Sequence, residues 1–168
     1  MEGQPPGTVL KNTNLVTINA LQGSEGTSRH FVTAFYGLLD PASGLLLYAS
    51  AGHPPAIIGR HSGDTTMLEC LSPVIGVFED AQYEDRAEHL GPHDLLLLYT
   101  DGLTEARADL DFFGEERLLD LLASHAQYDA RDLPMMLYTE IGRHCCGNLR
   151  DDLAILAVQL AEPVSTEA

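Results

Sequence analysis

The chain has 168 residues, 45% hydrophobic and 20% charged, with 25 acidic residues against 9 basic ones and a formal charge of −16. That is the length of one domain and the composition of a folded soluble protein, and its acidity argues against a nucleic-acid or anionic-membrane surface. No apolar run approaches the roughly 20 residues of a membrane span, and Met1–Lys11 lacks the basic and apolar regions of a signal peptide.

In chain order, residues 1–30 read as a poorly patterned lead-in. Gln4-Pro5-Pro6-Gly7 is loop chemistry, Thr8 is placed to cap a short helix through Val9, Leu10, Leu15 and Val16, and Gly23–Ser28 reads as a flexible connection. From Phe31 the pattern changes to short apolar runs between turns. Phe31–Leu39 and Leu45–Ala51 form an expected hairpin around Asp40-Pro41-Ala42-Ser43-Gly44, where Pro presets φ and Gly closes the turn. Ala56–Gly59 with Thr66–Leu71 forms a second hairpin, and Tyr83–Leu90 with Leu95–Tyr99 a third. Leu95–Leu98 is continuously apolar, as in a strand covered on both faces.

Leucines at helical spacing then predict a helix after Gly114-Glu115 and another after Asp129, each with acidic residues crowding its first turn. Pro134 must sit in the first turn of the second helix. Leu153–Leu160 closes the pattern as a buried strand, and residues 161–168 read as a disordered tail. Strands, two helices and a strand give an α+β fold of mostly antiparallel sheet. Cys70, Cys145 and Cys146 cannot all pair, which suits a reducing cytoplasm.

The most informative residues are Asp101 and Asp151. Asp101 directly follows one apolar strand, in Tyr99-Thr100-Asp101-Gly102, and Asp151 directly precedes another, in Arg150-Asp151-Asp152-Leu153. If those strands are antiparallel neighbours, both carboxylates meet at one corner of the sheet, and oxygen clusters of this kind suit Mg²⁺ or Mn²⁺. Gly102 lets the backbone approach closely there. Taken alone, Asp-Gly after a strand is more often a turn than a ligand, and Asp-Asp before a strand is often a solvated loop. Ser50 and His53 flank a glycine, but Ala49-Ser50-Ala51-Gly52 lacks the Gly-x-Ser-x-Gly elbow of hydrolases. His144-Cys145-Cys146 has no second ligand pair at zinc spacing and reads as helix-end packing.

Six segments change the odds because they occur in a particular order. They are Phe31–Gly37, Tyr48–Pro55, Ser72–Val77, Leu96–Ala106, Phe113–Leu118 and Asp151–Leu156. Together they resemble the metal-dependent type-2C (PPM) serine/threonine phosphatases, in the bacterial sporulation-stage-II-E and stress-sigma-factor regulator branch. The resemblance covers about residues 31–160 and implies a layered α-β-β-α sandwich with a metal cluster at one end of the sheets. It implies two Mn²⁺ or Mg²⁺ ions sharing a water whose pKa falls from about 15.7 towards about 7, so that hydroxide attacks a phosphoryl group in line.

By motif position, Asp101 and Asp151 correspond to metal ligands, with Gly102 beside them. Glu105 stands where relatives place an acidic ligand for a weaker, additional metal. His53 occupies a slot often held by an acidic residue, as a contact to that metal or to the leaving group. The substrate implied is a phosphorylated regulatory protein of the anti-sigma-factor-antagonist type. One departure matters. The family's bridging ligand is an aspartate in a Gly-Asp motif on an early strand, and the first aspartate here is Asp40. The fold is accordingly expected to be N-terminally incomplete, with a non-catalytic interaction module as the competing reading and an unrelated cation-binding domain as a third. Sheet edges left unpaired by missing strands are expected to invite homodimerisation.

Overall fold

A computed structural model describes residues 3–21, 30–124 and 129–161. The expected 23–28 connection lies outside the described residues, as does the tail beyond Ala161. The elements are α1 (Pro6–Leu21), β1 (Ala34–Leu39), β2 (Leu45–Ala51), β3 (Ala56–Gly59), β4 (Thr65–Leu68), β5 (Arg86–His89), β6 (Leu95–Tyr99), β7 (Arg107–Ala108), β8 (Asp111–Phe112), α2 (Gly114–Ser124), α3 (Leu133–His144) and β9 (Ile155–Gln159). All paired strands are antiparallel, in sheets ordered β1-β2-β5, β4-β3-β6-β9 and β7-β8. The α+β class expected from the sequence is what forms. Among the described residues no helix is long and apolar enough to cross a membrane.

The chain divides into two compact units. The first comprises residues up to His53 together with Glu69–His89, and carries α1 and the β1-β2-β5 sheet. Its core joins Leu10 of α1 to Ala49, Ala51, Ile75, Ala81 and Tyr83. The helix runs for 16 residues, longer than the expected short one, and begins at Pro6, whose fixed φ suits a first helical position. Thr8 therefore lies inside it rather than at its cap. Asn14, fully buried, explains why α1 is held firmly. Its Nδ2 donates to the Phe78 carbonyl at 2.8 Å, and its Oδ1 accepts from the Gly76 amide at 2.8 Å. Asp40 closes the β1–β2 turn as expected, its carboxylate accepting from the Ala42 amide and the Ser43 hydroxyl.

The second unit comprises Pro54–Leu68 and the chain from Leu90 onward. Its core packs Ile57, Leu95, Leu97 and Tyr99 of the sheet against Leu118 and Leu122 of α2 and Leu133, Leu137 and Ile141 of α3. Fully burying one such leucine contributes about 1.5–3 kcal/mol, so this cluster is the main store of stability in the unit. Pro134 sits in the first turn of α3, as its missing N–H requires, and Cys145 is buried at the helix end. All three cysteines are free thiols.

Three expectations are corrected. The third hairpin does not form: β5 pairs with β2, whereas β6 lies between β3 and β9. Arg86–His89 is mostly exposed and polar, which suits a sheet edge, and the all-apolar β6 needs a strand on each side. The closing strand begins at Ile155 and is only half-buried, because β9 is itself an edge and leaves Leu156 57% exposed. Acidic residues occupy the first turn of α2 but not that of α3, where Asp132 precedes the helix without a side-chain capping bond.

Candidate metal and phosphoryl site

The corner at the end of β6 forms because two neighbouring strands are tied together just beyond their last ladder pair. β6 and β9 pair from Leu95↔Gln159 to Tyr99↔Ile155. One residue further, the Thr100 amide donates to the Ala154 carbonyl at 3.1 Å. The Thr100 hydroxyl donates to the Asp152 carbonyl at 2.9 Å and accepts from the Ala154 amide at 2.9 Å. This single threonine fixes the 152–154 segment beside the 100–102 segment. Asp101 and Asp151 thereby belong to segments locked side by side, as the antiparallel-neighbour argument requires.

Gly102 is what permits the approach. A Cβ at this position would lie 2.5 Å from the Asp152 carbonyl oxygen and 3.1 Å from its carbon. Only a glycine fits against backbone at that distance. Beyond it the chain makes a tight turn. The Leu103 amide donates to the Thr100 carbonyl at 2.9 Å, and the Glu105 amide to the Asp101 carbonyl at 2.8 Å. Leu103 and Ala106 are buried in the core, whereas Asp101 and Glu105 are exposed.

Gly102, Glu105 and Asp151 line one cleft of about 290 Å³, together with Ala106, Arg107, Phe112 and Arg150. The structure thus brings three of the expected residues to one opening, with Asp101 adjoining Gly102. His53 belongs to the first unit. It follows Gly52, whose φ of +66° suits glycine, and its ring lies 6.1 Å from that of Phe35. Ser50 is 4% exposed in β2, with no hydrogen-bond partner for its hydroxyl among the described residues, so the hydrolase-nucleophile reading gains nothing. Burial pushes the Tyr99 hydroxyl up to about 12, with Glu115 adding to the effect, so it stays protonated beneath this corner.

The donors fit a hard dication in kind, since carboxylate oxygens with backbone carbonyls nearby are what Mg²⁺ and Mn²⁺ take. They are few in number. Among the described residues no three His, Cys, Asp or Glu side chains stand close enough together to hold an ion. Sequence reasoning missed the β7–β8 hairpin and its Arg107, and also Arg150. Two-residue strands carry almost no periodic signal, and an isolated arginine carries none.

Comparison with known proteins agrees with this architecture. The chain superposes on the SiaA-PP2C domain of Pseudomonas aeruginosa with a TM-score of 0.77 at 22% identity, covering 92% of this chain and 61% of that one. Its fold is that of PP2C phosphatase domains. The chain belongs to the Stage II sporulation protein E (SpoIIE) family, whose sequence model matches residues 1–161, and is a PPM-type phosphatase domain of that branch. The phosphoserine phosphatase RsbP of Bacillus subtilis (strain 168) is 33% identical over 140 residues, 83% of this chain and 33% of the relative. The phosphoserine phosphatase RsbU of the same organism is 28% identical over 158 residues, 94% of this chain and 46% of the relative. The chain spans less than half the length of these curated relatives.

Proposed function

We propose that the domain hydrolyses phosphoserine or phosphothreonine on a regulatory protein, of the type that antagonises an anti-sigma factor, with Mn²⁺ or Mg²⁺ at the Asp101–Asp151 corner. The observation that carries this reading is the Thr100 clasp, which holds the Asp101 and Asp151 segments together against Gly102. Asp101 and Asp151 would hold the cation, and Glu105 would serve a weaker, additional cation. A bound dication supplies Lewis acidity toward a phosphoryl oxygen and a water of lowered pKa. The protein's own part is to converge carboxylates on an exposed rim, where a phosphorylated side chain of a partner protein can enter. His53 is assigned to the leaving group or an additional cation. Residues 31–160 are taken as the catalytic portion, residues 1–30 as its lead-in, and the setting as cytoplasmic.

A second reading, a non-catalytic interaction module, is favoured by one observation: among the described residues no three His, Cys, Asp or Glu side chains stand close enough together to hold an ion. On that reading the domain binds a phosphorylated partner without turning it over. The deciding experiment is Mn²⁺-dependent phosphate release from a phosphoserine protein substrate. Release that is abolished by Asp101→Asn supports hydrolysis. Stable binding with no release supports the interaction module.

A further inference from the structure

In a chain this acidic, arginines are expected to find carboxylates, and most of the described ones do. Arg60 pairs with Asp94, Arg86 with Glu84, Arg117 with Asp111, Arg131 with Asp129 and Arg143 with Glu140. Among the described residues Arg107 and Arg150 alone of the arginines make no such pair, and both line the cleft that holds Gly102, Glu105 and Asp151.

Their settings differ in an informative way. Arg107 opens the β7–β8 hairpin opposite Phe112, and its guanidinium carbon lies 5.4 Å from the centre of the Phe112 ring. An aromatic contact of this kind uses the face of the guanidinium and leaves its edge donors available. The hairpin itself is braced. The Phe113 amide donates to the Ala106 carbonyl at 2.7 Å, and Arg117 grips both the Asp111 carboxylate and the Phe112 carbonyl. Arg150 is exposed, immediately before Asp151. Its neighbour's carboxylate is engaged elsewhere, Oδ1 accepting from the Asp152 amide at 2.8 Å.

We infer that Arg107 and Arg150 form a binding site for a phosphate dianion, gripping the phosphoryl group beside the Asp101–Asp151 corner. Guanidinium forks match the oxygen geometry of phosphate and bind it through paired charge-assisted hydrogen bonds. Two cations on the rim also offset the repulsion that Glu105 and Asp151 exert on an approaching dianion. The inference deepens the phosphatase reading and rests on it for the source of the phosphate, though binding itself requires no turnover.

The test is phosphate binding by the full chain in Mg²⁺ buffer, followed by calorimetry or phosphorus NMR, with inorganic phosphate and a phosphoserine peptide as separate probes. Arg107→Ala and Arg150→Ala are each expected to weaken binding about tenfold, as loss of a charge-assisted pair implies, and Arg107→Lys to weaken it less. Arg131→Ala, outside the cleft, is the charge control and is expected to leave binding unchanged. If the peptide and inorganic phosphate compete and both depend on the arginines, the site takes the substrate's phosphoryl group. If only inorganic phosphate does, the site takes the released product. Binding that is equal in wild type and Arg150→Ala overturns the inference, and Arg150, being exposed, can be replaced without threatening the fold. Arginine-dependent phosphate binding in a chain that hydrolyses nothing would sink the hydrolytic reading and leave this site standing. Hydrolysis with unchanged KM in both alanine variants would do the reverse.

Discussion

Replacing Gly102 with alanine tests the close approach that builds the corner. The new Cβ would sit 2.5 Å from the Asp152 carbonyl oxygen. A relaxed carbon–oxygen contact is about 3.3 Å or more, so the 151–152 backbone must retreat by about 0.8 Å. The Thr100 hydroxyl bond to Asp152, now 2.9 Å, cannot survive a displacement of that size. Overpacking against backbone costs about 1–3 kcal/mol and the lost hydrogen bond about 1 kcal/mol, giving about 2–4 kcal/mol in all. For a chain of this size that is a fall of about 4–16 °C in thermal midpoint. Thermal unfolding followed by circular dichroism reads it directly. Thr100→Val, which removes the hydroxyl bonds without adding volume, is expected to cost about half as much. A Gly102→Ala protein within about 1 °C of wild type would refute the reasoning, because the segment would then be free to move.

Two further outcomes follow from buried polar residues. Burial opposes ionisation of Asp94, but the His61 amide, the Arg60 guanidinium and the Gly91 amide outweigh it and hold this carboxyl below its ordinary value. Its contribution to stability is therefore present above the unfolded carboxyl pKa of about 3.9 and lost as pH falls through the lower folded value. Asp94→Asn is expected to cost about 1–3 kcal/mol at pH 7 and to shrink the acid-induced loss below about pH 4, measured by urea titration across pH. Asn14→Leu strands the Gly76 amide and the Phe78 carbonyl and is expected to cost about 2–4 kcal/mol, with faster amide exchange at Gly76.

Much of the sheet was legible because its apolar runs are short, strongly patterned and bounded by turn residues. Leu45–Ala51, Ala56–Gly59 and Leu95–Tyr99 have the expected boundaries. The partner of β5 was not legible. Sequence adjacency favours a hairpin with β6, and only the demand of an all-apolar strand for two neighbours sends β6 elsewhere. The length of α1 was hidden for a different reason. Thr8, Val9, Thr13, Val16 and Thr17 depress helix propensity, and the bonds that hold Asn14 are tertiary. The meeting of the Asp101-Gly102 segment with the Asp151 segment at one corner was readable from their places at strand ends. The clasp from Thr100 was not, since a threonine beside Asp-Gly looks like any strand terminus. Arg107 and Arg150 acquire meaning only when every other described arginine is seen to be paired.

The central claim is that Asp101 and Asp151 act together on a divalent cation. Titration of the full chain with Mn²⁺, followed by the electron paramagnetic resonance of free Mn²⁺, measures this without requiring turnover. With only two strand-end carboxylates as anchors, saturable binding is expected in the millimolar range, lost in both Asp101→Asn and Asp151→Asn. Binding that survives either substitution, or no binding at any concentration, would contradict the account.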